Sequence, residues 1–95
     1  SLPSAKNYDQ EIDKQAEKTE KMLEDLTEKA KKLKTDLNNF ENKVKSKKDF
    51  DFQEKKQLED LLKKREDLMK EMKDAQQQFD QMQEKQQRFQ EQSPE

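Results

Sequence analysis

An all-α fold, a two-helix antiparallel coiled-coil hairpin, is what this sequence predicts, and three observations predict it. The first is composition. Of the 95 residues 46% are charged and 26% hydrophobic, and glycine is absent. A globular domain carries nearly twice that apolar fraction, so a many-layered core is excluded. The second is a heptad sustained through each half of the chain, which favours coiled coil over the disorder that such a composition also allows. The third is a central stretch, Lys47–Lys56, where the heptad loses its apolar residues and a helix-start signal takes its place.

In chain order, Ser1-Leu2-Pro3 and Ser93-Pro94-Glu95 read as the edges of a segment of a longer chain, with Ser1-Leu2 compatible with a tag remnant. Tails are therefore expected at 1–4 and 93–95. Ser4, after Pro3, suits the cap of a first helix over 5–46. Its seam runs through Ile12, Ala16, Thr19, Leu23, Leu26, Ala30, Leu33, Leu37, Phe40 and Val44, alternating steps of four and three. That is the a/d pattern of a left-handed coiled coil. Residues 47–51 form the expected turn. A second helix over 52–92 carries Leu58, Leu61, Arg65, Leu68, Met72, Ala75, Phe79, Met82, Gln86 and Phe89 with the same alternation. Tyr8 is free to lean toward Phe89.

Between the two seams the phase is unbroken, with Lys47, Asp51 and Glu54 at the seam positions. A continuous helix of roughly 130 Å is thus the rival of a hairpin with ~60 Å arms. Folding about residue 49 pairs positions whose numbers add to 98: Phe40 with Leu58, Leu37 with Leu61, Leu33 with Arg65, and so on to Ile12 with Gln86. Small residues then face large ones, which evens the layers. Flanking charges fall opposite their counter-charges, Glu41 with Lys55, Asp36 with Lys64 and Lys29 with Glu71. A parallel pair of rods would stack Arg65, Lys47 and Glu54 on their own copies. Antiparallel pairing follows, either within one chain or between two swapped chains. Asp51-Phe52-Gln53-Glu54 favours the hairpin, because it fits a capping box that starts a helix. Lys43, Lys45, Lys47 and Lys48 suit the negative end of helix 1. The usual glycine stop is missing.

The balance of charge, net −2, gives no long-range attraction for nucleic acid or an anionic membrane. The lysine clusters at 29–34 and 45–48 lack stacking aromatics and read as solvated faces. Cysteine and histidine are absent, so thiol, disulfide and imidazole chemistry are out of reach. Glycine-rich phosphate loops and calcium-loop spacings are missing too. Neighbouring carboxylates such as Glu59-Asp60 do not share a helix face. No catalytic, cofactor or metal residue is expected. The glutamine-rich stretch 76–92 keeps its heptad through Phe79, Met82 and Phe89 and reads as helix.

Four residues are candidates for protein interaction. Phe50 and Phe52 sit at the tip, where packing on the tip itself competes with a docking role. Leu62 and Met69 widen the apolar stripe of helix 2, either covering the hairpin's own seam or meeting a second hairpin in a four-helix dimer. A two-helix molecule buries each seam residue only partly against ~1–2 kcal/mol of backbone entropy per residue, so a partner is favoured. That partner is another copy or another protein, with neither nucleic acid nor direct membrane contact expected.

The run Lys47-Lys48-Asp49-Phe50-Asp51-Phe52-Gln53-Glu54-Lys55-Lys56-Gln57-Leu58-Glu59-Asp60-Leu61-Leu62 resembles a recurrent stretch in an uncharacterised family of large membrane-anchored coiled-coil proteins of Bacteroidetes. The glutamine- and glutamate-rich region that follows is similar as well, and the resemblance covers residues 1 to 92. It implies an extramembrane segment of a longer, envelope-associated parent. It implies no activity and carries over no functional residue. The expected function is a non-catalytic spacer, scaffold or oligomerisation element. The alternative is a binding module that grips a client with its tip or its helix 2 stripe, as prefoldin-like hairpins do.

Overall fold

The computed structural model describes residues 5–92 and contains two helices, α1 (Ala5–Val44) and α2 (Phe52–Gln92), folded back on each other. Ser4, the expected cap of the first helix, and the side chain of Tyr8 lie outside the described residues. The arms have 40 and 41 residues. They make a rod of 68 × 19 × 16 Å. Neither arm contains glycine or proline, so nothing in the sequence interrupts the backbone ladder.

The turn is longer than 47–51 and begins earlier. The helix 1 pattern ends at Val44, two residues before the sequence-based limit, and Lys45 and Ser46 already belong to the turn. Lys45 still donates its amide to Glu41 O at 2.9 Å, and Lys47 donates to Val44 O at 2.9 Å, tightening the exit. No described residue has a positive φ. The reversal therefore needs no left-handed residue, which is why the missing glycine does no harm.

The register differs from folding about residue 49. Bonds across the hairpin join Lys29 to Glu71, Lys43 to Gln57 and Thr19 to Met82, and at the tip Lys47 of the turn to Glu54. These numbers add to 100 or 101, not 98. The layers of Phe40 with Leu58 and Thr19 with Phe79 are replaced accordingly; Thr19 Oγ1 instead donates to Met82 Sδ at 3.8 Å. The cause is an asymmetric tip. Phe50 folds back so that its ring meets Phe40 edge-on, 5.5 Å between centroids at 84°. The chain crosses only after Phe50, so the pivot moves past residue 50.

This register makes the packing one-sided. Ile12, Thr19, Leu26, Leu33 and Phe40 face Leu61, Leu68, Ala75, Met82 and Phe89, and all ten are buried or half-buried. The alternate seam positions are covered only near the tip, by Leu37, Val44 and Leu58, and at Gln86. Away from the tip Ala16, Leu23, Ala30, Met72 and Phe79 are exposed. The core proper consists of Leu33, Phe40, Val44 and Leu61, with Leu37, Phe50, Leu58 and Leu68 packed against it.

Candidate functional site

Two places on the hairpin hold side chains that its own fold does not fully account for: the tip and one long face. The tip is built from the local sequence. Asp51 Oδ1 accepts from the Glu54 amide at 2.8 Å, and Glu54 Oε1 accepts from the Asp51 amide at 2.9 Å. This reciprocal pair is the expected capping box, and it satisfies two amides that the start of α2 would leave bare. Glu54 Oε2 also receives Lys47 Nζ at 2.7 Å.

Glu54 is consequently the most enclosed side chain described, with 1% of its surface exposed. The hydrogen bond from Lys47, then that from the Asp51 amide, hold its carboxyl below the usual glutamate value, against the opposing pull of burial. The bond to Glu54 raises the Lys47 ammonium in turn. Lys47 and Glu54 occupy seam positions seven residues apart. They form a charged layer that closes the core where apolar residues run out. The sequence gives Glu54 its cap role but not its bond to Lys47; their opposite signs at one heptad's separation are the available signal. Substituting Asp51 by alanine is expected to cost about 1 kcal/mol, read from chemical denaturation.

The four candidate interaction residues separate. Phe50 belongs to the core edge, as its contact with Phe40 shows. Phe52 is 81% exposed on the outer side of the first turn of α2. Leu62 and Met69 are about half exposed, and they share their exposure with Met72, Phe79 and Leu23, which the seam alone would have placed inside. Phe52→Ser should leave stability within about 0.5 kcal/mol of the parent. Phe50→Ser should cost clearly more, since it opens the end of the core. Equal effects in a melting experiment would show the two rings to be misassigned.

The two sides of the hairpin differ. On one, Lys29 Nζ sits 3.0 Å from both oxygens of Glu71 and 3.2 Å from Asp25. Those bonds, to Glu71 first and then Asp25, raise the lysine's pKa. Lys32, Asp36, Lys64 and Asp67 ring Leu33 and Leu68 on the same side. Asp36 and Lys64, expected to pair, share this groove without closing an ion pair, and Lys43 bonds Gln57 at 3.3 Å. On the other side an open groove of about 900 Å³ is lined by Ala16, Leu23, Thr27 and Phe79, with Glu20, Glu24 and Glu28 on its rim.

Among the described residues no group of three or more His, Cys, Asp or Glu side chains is placed to hold a metal ion. None of the described helices is long and apolar enough to cross a membrane. Comparison of the chain with protein-family models, curated proteins and solved structures gives no match.

Proposed function

We propose that this chain is a non-catalytic structural coiled-coil element, a spacer or scaffold within a longer protein that also serves to oligomerise it. The observation that carries this reading is the shape: a rod 68 Å long and under 20 Å wide, with its apolar core concentrated beside a closed tip. Such a unit sets a distance and presents long faces. Under the same reading the resemblance of residues 47–62 makes it an extramembrane part of a membrane-anchored parent.

The test is a matched deletion. In the observed register residues 13–19 lie level with residues 82–88. Removing both segments takes one heptad from each arm and preserves every layer nearer the tip. A spacer should remain helical and shorten by ~10 Å in solution scattering, seven residues at 1.5 Å each. Loss of the fold on this change would count against a modular rod.

A second reading, a binding module, is favoured by Phe52 alone, since an aromatic ring left in water at a rod's tip is a natural anchor. Phe52→Ser separates the readings. An inert tip leaves a parent complex isolated from its native source unchanged; a binding tip loses a component.

A further inference from the structure

We infer that a second copy of this chain, reversed end to end, covers the apolar face of the hairpin and completes a four-helix bundle. This deepens the scaffold reading by naming its partner. The starting point is the placement of the exposed apolar side chains. Apart from Phe52, the large exposed hydrophobics among the described residues are Leu23, Leu62, Met69, Met72 and Phe79. On α2 the four fall within a sector of about 50° at 3.5 residues per turn. Leu23 of α1 joins Phe79 in the open groove. All five therefore lie opposite the side sealed by Lys29–Glu71 and Lys43–Gln57.

Three features say what covers this face. The first is area. A face of 68 by 19 Å offers about 1,300 Å² per partner, where a standard interface takes roughly 800 Å² from each side.

The second is self-complementarity, which a two-fold interface requires. Residues 62, 69, 72 and 79 are spaced seven, three and seven, the same in either direction. Reversal about the point between residues 70 and 71 sets Leu62 on Phe79 of the partner copy and Met69 on the partner copy's Met72. Arg65 then meets a glutamine, Gln76 of the partner copy, and not its own copy. On α1 the same operation brings Ala30 onto the partner copy's Ala30, where small side chains let two helices approach closely.

The third is charge. Residues 9–28 hold eight acids and three lysines, net −5, while residues 29–48 hold eight lysines and two acids, net +6. The open half of α1 is thus acidic and its tip half basic. A two-fold axis lying across the rod stacks α1 on α1 in opposite directions. Each acidic half then lies on a basic half. A two-fold stack with both tips at one end would instead lay α1 on α2, whose halves are nearly neutral, net 0 over 52–71 and −1 over 72–91, and would leave both charged halves of α1 without a counter-charge. Few unrelated partners would satisfy both the apolar spacing and this alternation of charge, whereas a copy of the chain does so by construction.

Sedimentation equilibrium of the full 95-residue chain tests the inference. The expected mass at ~100 μM is twice the 11.5 kDa of one chain, an affinity range ordinary for an interface of this size. Leu62→Glu combined with Met69→Glu should weaken the dimer by at least ~100-fold, since it places charges in the centre of an apolar interface. Because that variant could lose its fold, orientation is tested separately in the otherwise unchanged chain. Ala30→Cys should form an intermolecular disulfide on mild oxidation, and Phe52→Cys should not, because reversal sends the tips to opposite ends. A helical monomer at ~500 μM overturns the inference, and so does Phe52→Cys cross-linking faster than Ala30→Cys. A monomer would leave the spacer reading standing, since the matched deletion tests length alone.

Discussion

Phe40→Ala is expected to unfold the hairpin at room temperature. Phe40 is 5% exposed; it closes the core beside Leu61 and Val44 and supports the ring of Phe50. Truncating a buried phenylalanine costs about 3–5 kcal/mol, because the lost transfer energy is joined by that of a cavity. A two-helix unit has little more than that to lose, since whole domains have only ~5–15 kcal/mol. The matched control is Phe79→Ala, the same chemical change at a position 38% exposed. In dilute solution it should cost no more than about 1 kcal/mol. Circular dichroism during urea titration reads both. Equal losses would mean that the core does not lie where Leu33, Phe40, Val44 and Leu61 place it.

Glu54→Lys is the second large effect. It removes the side chain that accepts from the Asp51 amide and from Lys47, and it sets a like charge against Lys47 in the most enclosed position among the described residues. The melting temperature should fall further than in Asp51→Ala, which keeps the Lys47–Glu54 pair. The same group makes stability depend on pH. Its folded carboxyl lies below the ordinary value of 4.5. The stability it contributes is therefore present above about pH 4.5 and drains away as pH falls through the lowered folded value. Lys47 works in the opposite direction. Its folded ammonium lies above the ordinary 10.5, so its contribution holds below that pH and is lost as pH rises through the raised value. Glu54→Gln should flatten part of the acid limb of the melting profile. An acid limb identical to that of the parent would show that Glu54 does not carry it.

The fold was legible where the physics is local or repetitive. The two seams announce two helices, and Asp51 with Glu54 announces the start of the second, because a capping box needs only residues three apart. The Lys29–Glu71 pair was legible as well, since two long charged side chains on the flank still reach each other across the register shift. The register itself was not. It is fixed by Phe50 turning back onto Phe40, a contact between residues whose mutual approach no spacing rule encodes. That three-residue shift decides the rest of the surface. It sends Leu23, Met72 and Phe79 from the expected interior to the outside, beside Leu62 and Met69. The Lys47–Glu54 pair was missed for a related reason: a charge on a seam signals failure unless its counter-charge is known to reach it.

The route by which the chain enters and leaves has a mechanical consequence. Ala5 and Gln92 lie at the same extremity of the rod, and the buried cluster of Leu33, Phe40, Val44 and Leu61 lies toward the other. Tension applied to the two ends would therefore load the layers one at a time, as in a zipper, and would not shear them all together. The loosely covered outer turns would part first under small forces. The knot of side chains beneath Phe50 would hold longest, so the rod could lengthen under strain and close again from its tip.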